Sequence, residues 1–144
     1  MTFEQPRRSV IEELLVYTIY DWIDLGFLRS VVREMTGAEP TQLHAAVMAV
    51  LDQLVGEGLV AAGDLTEAGF RAWDCTRGEA VARIDREWQA EPDPALHPFQ
   101  VAALAPTRAG VDVIASVMSR EGDDGSWRTR LSHAPLATAH PVER

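Results

Sequence analysis

Apolar residues recur at three- and four-residue spacing in three successive blocks at the start of the chain, which commits it to a helical core. Val10, Ile11, Leu14, Leu15, Tyr17, Thr18, Trp22 and Ile23 predict a helix from about 10 to 25. The Ser9-Val10-Ile11-Glu12 capping box would open it and Gly26 would end it. Phe27, Leu28, Val31, Val32 and Met35 predict a short second helix closed by Thr36-Gly37. Pro40 suits the first turn of a third helix, where Leu43, Ala46, Val47, Val50, Leu51, Leu54 and Val55 carry the stripe to about residue 56. Beyond Gly58, Leu59-Val60-Ala61-Ala62 predicts a short strand. At 144 residues the chain has the length of one domain, large enough to hold a core without a disulfide or a metal.

The second half changes rhythm. Phe99 to Leu104 alternate like a strand that could pair with residues 59–62, and Thr107 then starts a helix through Val111, Ile114, Ala115 and Met118 to about 119. Between them, Thr76-Arg77-Gly78-Glu79 is another capping box, and Val81, Ile84 and Trp88 share one face of a further helix. Glu79, Arg83 and Glu87 stand at i,i+4 spacing on another face, and Pro92, Pro94 and Pro98 prevent continuation. From Glu121 onward no period is visible and Trp127 is the one large anchor, so 121–144 reads as a flexible C-terminal tail.

Three helices ending in LDQLVGEGLV and followed by a strand resemble a winged helix-turn-helix domain. The residues that carry the resemblance are Leu51, Leu54, Gly58, Leu59 and Val60, at the exit of the third helix into the first wing strand. Regulators of the MarR and PadR type often leave the wing through a Leu-Thr-x-x-Gly sequence whose threonine caps the next helix. Leu65-Thr66-Glu67-Ala68-Gly69 and Ala105-Pro106-Thr107-Arg108-Ala109-Gly110 are both similar to it, and the strand-like 99–104 favours the later one. Residues 64–98 then form an insertion within the wing. The stretch GDLTEAGFRAWD with EAVARIDREW is also similar to small acidic actinobacterial proteins of unknown role, which implies no activity.

Charge narrows the function. Acidic residues number 22 against 13 basic ones, a net −9, and every basic residue is arginine. That balance disfavours nucleic acid and an anionic membrane as partners. No apolar run reaches the roughly 20 residues of a membrane span, and MTFEQPRRSV has no apolar signal core, so a cytoplasmic protein is expected. The acidity is uneven: residues 35–70 hold Glu39, Asp52, Glu57, Asp64 and Glu67 and no arginine. The resemblance would put this segment where a winged helix meets DNA, with Gln42, His44, Ala45, Met48, Ala49, Asp52, Gln53 and Glu57 facing outward.

No catalytic constellation is visible. His44, His97, His133 and His140 lack a His or Cys at ligand spacing and read as solvated or capping groups. Cys75 is the one thiol and reads as idle. Asp21 and Asp24 would sit in the last turn of the first helix, against its dipole, which hints at a positive neighbour. Trp22, Trp73 and Trp88 read as core. No enzyme activity, cofactor or metal is expected.

The expectation is therefore an α+β, mainly α fold: a winged-helix-like three-helix core with a small antiparallel β wing and a helical insertion, over residues 1–120. The leading function is non-enzymatic recognition of a basic protein partner, as an immunity or antitoxin protein would do, through His44, Met48, Asp52, Glu57 and Asp64. The alternative is a dimeric DNA-binding regulator, with Arg29, Arg33, Arg71 and Arg108 on phosphate and the 108–119 helix in a homodimer interface.

Overall fold

The Ser9 hydroxyl accepts from the Glu12 amide while the Glu12 carboxylate accepts from the Ser9 amide, and this reciprocal cap opens α1 (Val10–Tyr17). The computed structural model describes residues 7–91, 99–131 and 136–141. α1 stops well short of the predicted residue 25. The buried Thr18 hydroxyl donates to the Leu15 carbonyl at 2.5 Å, and the Thr18, Ile19 and Tyr20 amides bond three residues back, which tightens the chain into a turn. Gly26 ends nothing: it lies in the first turn of α2 (Leu25–Thr36). The Asp24 carboxylate caps that helix by accepting from the Phe27 amide at 2.8 Å, and Asp21 accepts from the Trp22 amide at 2.7 Å. The two aspartates thus precede a helix N-terminus, where the dipole favours negative charge. Trp22 is half-buried rather than core.

Gly37 closes α2 at φ 67°, a left-handed position in which a Cβ would strain the backbone. α3 (Pro40–Leu54) starts on its proline and buries Leu43, Val47, Val50, Leu51 and Leu54. The strand after it is longer than predicted: β2 (Val60–Thr66) turns back through Thr66 and Gly69 into β3 (Gly69–Ala72). The Thr66 hydroxyl bonds the Gly69 carbonyl and the Ala68 amide, so Leu65–Gly69 makes a hairpin turn and opens no helix.

A two-residue strand absent from the sequence reading, β1 (Ile23–Asp24), completes a four-stranded antiparallel sheet with β4 (Ala103–Pro106), in the order β1-β4-β2-β3. Ala61 pairs with Ala105, Ala62 with Leu104 and Ile23 with Leu104, so the late strand returns to residues 60–63. That strand begins later than predicted. Phe99 has φ 60°, outside the extended region, and only from Ala103 does the backbone join the ladder.

Between β3 and β4 runs α4 (Arg77–Gln89), capped by Thr76 and burying Ala80, Ile84 and Trp88. Val81, expected on that face, is half-buried. α5 (Arg108–Arg120) starts at Thr107 and packs on α1, where Arg8 with Glu121 and Arg120 with Glu12 form ion pairs at 2.6 and 2.9 Å. Gly110 is required where α5 passes the α3 exit: a Cβ there would collide with the Leu59 carbonyl and press on the Leu15 side chain. The fold is mainly helical with this one small sheet, and the helices and strands share a continuous apolar core.

The described part of the segment expected to be a flexible tail makes contacts with the body. Ser126–Arg130 forms a 3-10 helix that buries Trp127, and Ala137 bridges Thr107 in parallel. The His140 ring is buried, where a solvated or capping histidine was expected. His97 and His133 lie outside the described residues.

Candidate interaction surface

Along α3 the exposed positions are Pro40, Thr41, Gln42, Ala45, Ala49, Asp52 and Gln53, a ridge of small and neutral residues that becomes acidic toward its C-terminal end. Glu57 in the exit turn, Asp64 in β2 and Glu67 in the hairpin turn are also exposed. Of the residues predicted to form the acidic face, Asp52, Glu57 and Asp64 therefore stand in solvent. His44 and Met48 border that ridge, with Met48 one turn before Asp52. They lie one turn apart on the flank of α3 that meets α4, as the i,i+4 spacing requires. His44 Nε2 lies 2.7 Å from Asp85 Oδ1, and its ring meets Trp88 edge-on with centroids 6.0 Å apart. Gln89 also donates to Asp85 at 2.8 Å, and hydrogen bonds from His44 first and Gln89 second hold the Asp85 carboxyl below its usual range. Met48 packs half-buried against the core.

Across the hairpin, Asp64 and Arg71 are directly opposed, so opposite charges share one face of the β2–β3 ribbon. Arg71, Arg33 and Arg108 are exposed, whereas Arg29 is half-buried in a cleft of about 350 Å³ between α2, α3 and α4. The four arginines proposed for phosphate thus come from α2, β3 and the head of α5, with none on α3. The apolar stripe of α5 is spent within the chain: Val111, Ile114, Val117 and Met118 are buried, and Ala109, Asp112, Ser116 and Ser119 face solvent.

One cation escaped the sequence reading. Arg77, in the first turn of α4, reaches the α3 exit, where Nη1 donates to the Gly56 carbonyl at 3.2 Å and Nε to the His140 carbonyl at 3.1 Å. An arginine in the first turn of a helix opposes the dipole, and that misfit was the available signal of a tertiary role. Arg83 also does structural work, stacked 3.8 Å over the Trp73 ring and paired with Glu87 at 3.3 Å. Cys75 is half-buried, and burial first, then Glu79, pushes its thiol pKa up, which keeps it protonated and poorly nucleophilic.

A second surface feature was not foreseen. Tyr17, Tyr20, Phe27, Val31 and Met35 line an apolar groove of about 550 Å³ between α1 and α2, with Tyr17 stacked on Phe27 at 4.1 Å. Among the described residues no cluster of His, Cys, Asp and Glu could hold a metal ion, and no helix is long and apolar enough to cross a membrane. No family model matches the chain, and no curated protein or solved structure matches it.

Proposed function

We propose that this chain is a non-enzymatic protein-recognition domain whose acidic face binds a basic protein partner, in the manner of an immunity or antitoxin protein. The observation that carries the reading is the exposed surface of α3 and its exit: Asp52, Glu57, Asp64 and Glu67 beside a neutral ridge, with Arg71 opposite Asp64 as the one exposed cation of the hairpin. A face of this kind attracts cationic surfaces over a Debye length and repels phosphate. His44 and Met48 border this face on the side where α3 meets α4. The structural engagement of His44, Cys75 and Arg83 also supports a role other than catalysis.

The test is charge reversal. Asp52→Arg with Glu57→Arg is expected to slow association with the purified physiological partner by about tenfold or more at low salt, and to reduce its salt dependence. Unchanged association would end the proposal.

The DNA-binding alternative draws support from the order of elements: three helices, a strand, and a later strand that returns to pair with it. It requires phosphate contacts from Arg29, Arg33, Arg71 and Arg108. It predicts a complex with duplex DNA whose affinity falls steeply with salt, and absence of binding at low salt removes it.

A further inference from the structure

We propose that residues 136–141 form a pH-gated strap, held on the sheet by neutral His140 and released when its imidazole takes up a second proton. Of these six residues His140 is the only one that is buried, at 3% exposure, and Leu136 at the other end is 40% exposed. The strap's backbone is held as well, beginning with Arg77 Nε, which donates to the His140 carbonyl at 3.1 Å. The Ala137 amide donates to the Pro106 carbonyl at 3.1 Å, and the Arg77 amide donates to the Pro141 carbonyl at 3.2 Å. The imidazole is therefore the one side chain of the strap inserted into the body.

Its hydrogen bonds select a protonation state. Nε2 accepts from the Ala62 amide at 2.9 Å, which requires an unprotonated nitrogen, while the ring also bonds the backbone of Trp73. A proton on Nε2 would set two donors against each other and place a charge in a buried site. Among the described residues, the charged group acting on the ring is the Arg77 guanidinium from α4; β2 presents the Ala62 amide, and the chain after β3 presents Trp73. Glu57 and Arg108 line the neighbouring groove along residues 136–139. Burial, and then Arg77, hold the His140 pKa below its ordinary value, against the opposing pull of the Trp73 backbone bond.

The sign follows from linkage. The folded pKa is depressed, so the strap is fully held above the free imidazole value of about 6.5 and is lost as pH falls through the folded pKa. One proton is linked to opening, so the opening constant rises by up to about tenfold per pH unit in that window. Release uncovers the Ala62 amide, the Pro106 carbonyl and the groove beside Glu57, whatever partner the acidic face binds.

Amide hydrogen exchange on the full chain, corrected for the intrinsic pH dependence, tests this between about pH 7.5 and about pH 5. The expected result is that Ala62, Ala137 and Arg77 lose protection with the midpoint of the His140 ring titration, while Leu51 and Ile114 stay protected. His140→Gln keeps an acceptor that does not titrate, and should hold the strap amides equally protected at both pH values. Strap amides that remain protected while the ring titrates would overturn the proposal. So would loss of protection at Leu51 and Ile114 in the same window, which would make the event global unfolding.

Discussion

The Thr107 hydroxyl, at the head of α5, lies 2.6 Å from the Gly58 carbonyl, at the exit of α3, and donates to it. The same oxygen accepts from the Gly110 amide at 3.2 Å, so one buried side chain caps a helix and ties it to a turn 49 residues earlier. Thr107→Val keeps the shape and removes both bonds. It should cost about 2 kcal/mol, from the lost cap and the unpaired carbonyl, read as a lower urea midpoint with unchanged slope.

Gly110→Ala tests the same junction by steric means. The added methyl would meet the Leu59 backbone, which cannot move aside as a flexible side chain would. A loss of about 1–3 kcal/mol is expected in the same urea titration. Gly122→Ala, where nothing lies within 4 Å but φ is 82°, is a control for backbone strain without a clash.

Met48 and Ala49 are neighbours in sequence with different surroundings, one packed on the core and one in solvent. Met48→Ala should lower stability by about 1–2 kcal/mol and leave partner affinity nearly intact. Ala49→Arg should leave the melting temperature unchanged and weaken binding of a basic partner. The reverse pattern would move the interface to the α3–α4 flank.

Acid should loosen the α1–α5 contact. The Arg120 and Arg8 guanidinium groups hold the Glu12 and Glu121 carboxyls below the usual carboxylate range. Their contribution is present above the unfolded value of about 4.3 and is lost as pH falls through the folded values. Both pairs are partly exposed, so Arg8→Gln should cost less than about 1 kcal/mol at neutral pH, and added salt should shrink the difference. Stability curves from about pH 6 to about pH 3 for the parent and the variant should converge at the acid end.

The helices were legible because burial at three- and four-residue spacing leaves a mark that survives any tertiary arrangement. α3, α4 and α5 begin where Pro40, Thr76 and Thr107 indicated. The break between α1 and α2 was not legible, because Tyr17, Trp22 and Ile23 continue the stripe through a turn made by a buried threonine and two aspartates. β1 is too short to show alternation and exists only through its pairing with β4. On the surface, Asp52, Glu57 and Asp64 were readable as charges on an exposed segment. That α4 packs beside His44 was not readable, because nothing local says that Asp85 and Trp88 fold back onto that flank. His140 was read as solvated or capping because its partners, Ala62 and Trp73, are remote in sequence.

The pairing of Ile23 with Leu104 also sets an order of assembly. β2 and β3 are adjacent in sequence and can zip locally, whereas β1 has no partner until the chain has been made through β4. Until β4 has been made, one edge of β2 would be unpaired and Ile23 would lack its strand partner. Ala103–Pro106 lies between them, so both pairings become available only with that strand. This late strand is where synthesis of the chain becomes completion of the fold.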